Sequence, residues 1–264
     1  MGIRLHRINA LLIRHIYLYK RSVPRLMDIF FWPVMTLFLW GFISRYLEQS
    51  NLTGINVVTV LLGAVILWEV LSESQHSISV AFLEEVWEKN LINIFVTPLK
   101  VSEFVISTAL LGALRVIFVT IVLSIIALIA YAFNIFDLGF YIIPFAFNLI
   151  LFGWVLGLFI TAIILRFGTS AQVLAFGLMF LVQPFTAVFY PVSVLPTLAQ
   201  YISLLMPSTH VFEGMREVVN TGIFSSEYFF IGLVLNIIYL SLAVWYFNKM
   251  FLRIKKEGKL MKLD

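Results

Sequence analysis

Residues 84–100 read EEVWEKNLINIFVTPLK. In a chain of 264 residues that is 61% hydrophobic and 12% charged, this is the most charged internal stretch, and it lies between two long apolar runs. Soluble domains carry charge on roughly a quarter of their residues. With a mean hydropathy of +1.01 and 16% aromatic residues, the chain reads as an integral membrane protein. The quoted stretch is then a polar connection between two spans, and the side of the membrane on which it lies orients the rest.

Outward from it, six segments are apolar over enough residues, at about 1.5 Å of helical rise each, to cross roughly 30 Å of hydrocarbon. They fall at about 26–45, 57–80, 104–132, 140–165, 170–190 and 228–249. An even number puts both termini on one side. Six Lys or Arg precede residue 26, two lie in 81–103, one is Arg166 and six follow from Lys249, against only Arg45 and Arg216 in the opposite loops. The positive-inside rule therefore places both termini and the quoted stretch in the cytoplasm, in a multi-pass protein of the cell membrane. Arg115, the remaining cation, falls inside a span.

The net charge of +4 is concentrated at the two termini, beside apolar runs. Anionic headgroups are the expected counter-charge and nucleic acid is not. Without cysteine there is no disulfide framework or thiolate site to read. Arg14, Lys20 and Arg21 interrupt any apolar core before residue 26, so an N-terminal signal peptide is not expected. Leu5, Ile8, Leu12, Ile16 and Tyr19 recur at helical spacing, with Arg4, Arg7 and Arg14 elsewhere on the wheel. That pattern predicts a basic amphipathic helix along the inner leaflet; the other reading is a disordered basic tail.

No G-x-x-x-x-G-K-[ST] loop, H-E-x-x-H or G-x-S-x-G occurs, so a nucleotide-phosphate cradle, a common metalloprotease and a common serine hydrolase are not expected on this chain. Glu73 and His76 form an E-x-x-H, the spacing of a di-iron helix, but the only histidines are at 6, 15, 76 and 210 and the ligand set stays incomplete. No catalytic, cofactor or metal site is expected. Within 84–98, Trp87, Leu91, Ile94 and Phe95 recur at helical spacing, with Glu84, Glu85, Glu88 and Lys89 in the first turn and a half. Carboxylates there suit the positive end of a helix dipole, and Pro98 stops the helix. Such a helix is either interfacial and partnerless or a docking element.

WEKNLINIFVTPL followed by a long span, then FYPVSVLP and LLMPSTHVFEGMRE late in the chain, resembles the permease subunit of type-2 ATP-binding-cassette exporters. That family includes polysaccharide, lipid, teichoic-acid and drug exporters. The resemblance covers nearly the whole chain and implies one all-α membrane domain over 1–264 with six transmembrane helices. It further implies an interfacial helix over 1–25, a coupling helix over 84–98 and an exterior re-entrant segment over 191–222. By this similarity Glu84, Glu85, Trp87, Glu88, Lys89, Asn90 and Leu91 meet a separate ATPase subunit, which holds the ATP and Mg. Many relatives carry Gly-Thr where this helix has Lys89-Asn90 or Asn90-Leu91. Two permease copies, expected as a homodimer, and two ATPases would export a substrate that is amphipathic or lipid-linked.

Pro191, Pro196 and Pro207 are too closely spaced for an uninterrupted span. The ten or so residues between the last two give roughly 15 Å of helix, half a membrane, with Leu198, Ile202 and Leu205 expected on its buried side. Ser208 is the expected N-cap of a second short helix, on which His210, Glu213 and Glu217 share a face and Arg216 reaches Glu213. The resemblance makes these helices the exterior gate; the alternative is an ordinary salt-bridged exterior helix. Glu69, Glu73 and His76 lie in the second span and Arg115 in the third. Counted from the exterior ends near Val57 and Tyr131, Glu73 and Arg115 lie at one depth, roughly 24 Å down. Arg115 is expected to pair with Glu73, or with Glu69 one turn higher, the alternative being that it snorkels to the headgroups. Two rival functions are an ion-driven secondary transporter, whose inverted repeats are not apparent, and an intramembrane enzyme on Glu69, Glu73 and His76, which lacks a nucleophile.

Overall fold

The computed structural model describes residues 4–49 and 57–258. It is 88% helical, with no strand among the described residues. The α-helices are α1 (Leu5–Arg21), α2 (Val23–Gln49), α3 (Val57–Trp87), α4 (Leu91–Val96), α5 (Val101–Tyr131), α6 (Ile142–Phe167), α7 (Val173–Val182), α8 (Thr197–Leu204), α9 (Pro207–Thr221) and α10 (Ser226–Lys256). Among the described residues, five runs are long and apolar enough to cross a membrane: α2, α3, α5, the stretch Ile135–Ala171 that contains α6, and α10. The chain is thus an all-α, multi-pass membrane protein.

The helix in the run expected over 170–190 is shorter than the other five. It is an apolar helical stretch, Val173–Phe185, of roughly 20 Å at the helical rise. Gly168 before it and Ala187 after it both have left-handed backbone, φ +71 and +53, and these turns limit its length.

Burial sorts the spans. In α3, 78% of the most apolar stretch is buried and in the run containing α6 67%, against 22% in α2 and α5 and 17% in α10, so α3 and α6 form the enclosed centre, with α2 and α5 packed on α3 and α10 on α6. Small residues allow the close approach. A Cβ on Gly153 of α6 would stand 2.7 Å from the Leu71 carbonyl oxygen, and one on Gly157 would stand 2.9 Å from that of Gln75. This G-x-x-x-G therefore presses α6 onto the α3 backbone, as small residues do where lipid offers no hydrophobic drive between helices. On the same α6, Asn148 accepts from Asn236 Nδ2 of α10 at 2.9 Å (O) and 3.0 Å (Oδ1), a buried polar clasp between those spans.

The N-terminal segment is the helix α1, not a disordered tail. It ends where Ser22 turns extended, and Pro24 sits in the first turn of α2. Its buried stripe is Ile8, Leu11 and His15, packed towards α5. Leu5 and Ile16, placed on the apolar face by spacing, are exposed, because two ion pairs described below, from Arg7 and Arg14, fix the rotation of the helix.

Candidate functional site

The expected helix over 84–98 is two pieces. α3 runs on without a break to Trp87, because nothing in 80–87 disfavours a helix. It then closes with Asn90 N–H on Glu85 O (2.9 Å) and Lys89 N–H on Val86 O (3.0 Å), with Lys89 left-handed at φ +53. This is a Schellman closure with a lysine at the position glycine prefers. Glu84, Glu85 and Glu88 therefore sit at the negative end of α3, and the favourable dipole expected for them has the opposite sign.

Cations from the N-terminal helices compensate. Arg14 of α1 forks onto both oxygens of Glu85, which is buried and also accepts from Asn90 Nδ2 at 2.7 Å. Arg25 of α2 bridges Glu84 (3.2 Å) and Glu88. Below them, buried Glu103 of α5 takes the backbone N–H groups of Lys100 and Arg4 (both 2.9 Å) and the guanidinium of Arg7 (3.5 Å), which also donates to Pro98 O. His15, buried among these charges, is held below its ordinary imidazole range by desolvation and so stays neutral.

The result is a tip with two sides. Leu91 and Ile94 turn inward and join a core that includes Phe104 and Phe251. Trp87, Glu88, Lys89, Asn93 and Val96 are exposed, Val96 at 79%. Of the residues expected to form a docking face, Glu84 is half-buried, Glu85 and Leu91 are buried, and Asn90 supports Glu85. Asn93 and Val96 are on the open side and were not anticipated.

Further along α3, Arg115 Nη2 stands 2.7 Å from Glu73 Oε2. This is the pair that the depth arithmetic expects, with the geometry of an ion contact rather than an aligned hydrogen bond. Tyr19 of α1 completes it: its hydroxyl accepts from Arg115 Nη1 at 3.3 Å, and the guanidinium lies over its ring at 5.4 Å. Burial raises the Tyr19 phenol pKa above its usual value, so it remains neutral. Glu69 is buried with no hydrogen bond or ion pair among the described residues, and His76 approaches Phe176 of α7 with ring centroids 6.1 Å apart. No group of three His, Asp or Glu is placed to hold a metal ion among the described residues.

At the opposite end, α8 and α9 form a hairpin with its turn at Leu205–Met206. Tyr239 donates to Leu205 O at 2.9 Å. Tyr239 lies thirteen residues along α10 from Ser226, so the turn reaches roughly 20 Å along that span. Pro207 is the first residue of α9 and Met206 its N-cap, so Ser208 lies inside the helix and does not cap it. The inward side of α8 was also misassigned: Ser203 is its buried residue, while Leu198 is 75% exposed and Leu205 61%. Ile202 and Leu205 instead border an apolar cleft of about 530 Å³ between α6 and α10.

α9 anchors the chain that precedes it. Glu213 pairs with Arg216 (3.0 Å) and accepts the Val192 N–H (2.7 Å), fixing the loop after Pro191. Arg216 also reaches Val188 O (3.4 Å), His210 Nε2 meets Leu204 O (2.9 Å), and Thr209 bonds Ser203 (3.1 Å). Gln200 closes on Leu195 O (2.8 Å), so Pro196, the N-cap of α8, follows a satisfied carbonyl. Beside this loop Phe189 stacks on Trp40 of α2, with centroids 3.7 Å apart, a contact that no sequence pattern signals.

A long inner helix, a compact tip between two spans and a polar hairpin folded back before the last span together describe a membrane permease. The ABC-2 type transporter family model matches residues 6–220, from α1 to α9, and the chain belongs to that family. It is the membrane component of an ABC-type transporter, in a family whose permeases work with ATPase subunits. A comparison with curated proteins finds no match.

Proposed function

We propose that the chain is the permease of an ATP-driven exporter, that two copies enclose the path, and that a separate ATPase, which carries the ATP and Mg, seats on the Trp87–Val96 tip. The observation that carries this is the form of the tip. A six-residue helix joins two 31-residue helices, with one side fused to the core and the other bare. A push on its open side reaches α3 and α5 through Leu91 and Ile94, and reaches α1 and α2 through Arg14 and Arg25. The charge count along the chain supports a cytoplasmic side for this tip and both termini. The α8–α9 hairpin then enters from the exterior and lines the exit, and its satisfied carbonyls are what irregular backbone at membrane depth requires. The cargo on this reading is amphipathic or lipid-linked.

Val96→Asp tests the docking. The side chain is exposed, so the fold is untouched, while a buried aspartate in the complex has no partner. The variant is expected to lose the ATPase on affinity purification from native membranes, together with ATP-dependent flux. Normal assembly and normal flux would place the docking surface elsewhere.

A further inference from the structure

One face of α3 is left open by the rest of the chain. Ser72, His76, Val80 and Glu84 are half-buried and Trp87 is exposed, and all fall within about a third of a turn of one another at 100° per residue. Glu69 (8% exposed) and Glu73 (4%) share that face. In the most enclosed span of the molecule, the uncovered strip is therefore polar over three successive turns. α7 borders it through Phe176 beside His76, and Arg115 and Tyr19 border it on the other side.

Not every acidic group on this strip has a partner. Glu73 is neutralised by Arg115, and Asp28 of α2 adds a further negative charge within electrostatic reach of both. Glu69 has no partner at all among the described residues, and the buried His76 Nε2 also lacks one. Glu69 is roughly 18 Å from the Val57 end of α3 and roughly 27 Å from Trp87, which is membrane depth. A lone carboxylate there is costly unless it gains a proton or a cation. Among its described residues, a second copy of the chain offers no unengaged Lys or Arg near the middle of a span. Among the described residues Arg115 alone lies near the middle of a span, and it is engaged; Arg45 donates to Ala130 O at the far end of α2, Arg216 is paired with Glu213, and Arg166 and Lys249 lie near span ends.

We propose that the missing cation is the cargo: Glu69 binds the positive centre of an amphipathic organic cation whose apolar body lies along the exposed Phe176 and Phe180 of α7. Those rings add a face that attracts cations and an apolar wall. The assignment of cargo rests on the export reading, but binding itself does not.

The test uses the full chain, purified into nanodiscs, with tetraphenylphosphonium and its negatively charged counterpart of the same shape, tetraphenylborate, measured by equilibrium dialysis. Saturable binding of the phosphonium and not of the borate is expected on the wild-type chain, and that discrimination is independent of any variant's folding. Glu69→Gln, nearly the same shape, is expected to weaken phosphonium binding at least tenfold with an unchanged unfolding transition, and Glu69→Asp is expected to keep part of it. Absent saturable binding, or equal binding by wild type and Glu69→Gln, overturns the site. Intact cation binding in a complex that moves no cation when ATP is added overturns the export reading and leaves the site standing. ATP-driven transport of another substrate without cation binding overturns the site alone.

Discussion

At the end where α3 turns into α4, elements distant in sequence are joined by charge: Arg7 to Glu103, Arg14 to Glu85, and Arg25 to Glu84 and Glu88. At the end where α8 folds back onto α9, side chains are spent on backbone groups: Glu213 on Val192 N–H, His210 on Leu204 O, Arg216 on Val188 O and Tyr239 on Leu205 O. The first end is a set of regular helices that need only be held together, and ion pairs at a wet boundary do this while permitting adjustment. The second contains irregular chain beside apolar surface, where each unpaired carbonyl or amide is costly, so its polar side chains define a shape. On the proposed reading, the tip passes a push through adjustable charged joints while the hairpin keeps its form.

The largest effect should come from the hairpin. Glu213→Ala removes the Val192 contact and leaves Arg216, 9% exposed, without its carboxylate. Stranding a buried charge of this kind costs about 3 kcal/mol, and salt should not restore it. Thermal unfolding of the detergent-solubilised chain measures it. A loss below about 1 kcal/mol would mean the loop is held by packing instead, since that is the scale of a single neutral hydrogen bond.

At the tip, Glu85→Ala should cost less, about 2 kcal/mol, because the stranded Arg14 side chain is 32% exposed and water recovers part of the loss. The change should be local: faster hydrogen exchange over Leu5–Arg21, with α8 and α9 unaffected. Uniform acceleration across the chain would show that the two ends are not independent.

Much of this contrast was open to sequence reasoning, and the exceptions have physical causes. Hydropathy and the Lys/Arg tally locate the spans, since a helix in lipid must be apolar over its length. Rise per residue brings Glu73 level with Arg115, and the prolines of 191–207 mark the hairpin. Caps and faces were less legible. Spacing alone assigned Glu84, Glu85 and Glu88 to the start of a helix when they end one, because the break at Lys89 is a left-handed lysine with no glycine to announce it. The N-terminal arginines were referred to lipid headgroups, yet Arg7, Arg14 and Arg25 turn to carboxylates of their own chain; the basic segment 4–25 and the acidic run 84–88 were a complementary pair in plain view. Gly153 and Gly157 also carried a readable signal, the small-residue spacing of close helix packing. Tyr19 meeting Arg115 across 96 residues is a tertiary fact that no local pattern encodes.

Between the two ends, the Arg115–Glu73 pair belongs to neither type: it is ionic like the tip but enclosed like the hairpin. In a double-mutant cycle with Arg115→Leu and Glu73→Leu, a coupling of about 1.5 kcal/mol is expected in unfolding free energy, with the double variant no worse than the poorer single. Strict additivity would mean that Tyr19 and Asp28 hold Arg115 without help from Glu73.

The smallest effect, and the one that most directly probes the contrast, concerns Arg25. It bridges Glu84 at 3.2 Å and Glu88 on the next turn of α3, with its own side chain 23% exposed and those of the carboxylates 22% and 42%. Pairs this wet are weakened by water and by the entropy of fixing a long side chain, so Arg25→Ala should cost only about 0.5 kcal/mol. Removing the cation also leaves Glu84 and Glu88 close together at the negative end of α3, a repulsion that salt relieves. The difference between Arg25→Ala and wild type should therefore shrink towards zero between low salt and about 0.5 M NaCl, where the screening length falls to a few ångströms. Glu213→Ala should keep its full deficit over the same range. If Arg25→Ala proved as costly and as salt-insensitive as Glu213→Ala, the α2 attachment would be a fixed part of the structure, and a push on the tip would pass into α2 rigidly rather than through an adjustable charged joint.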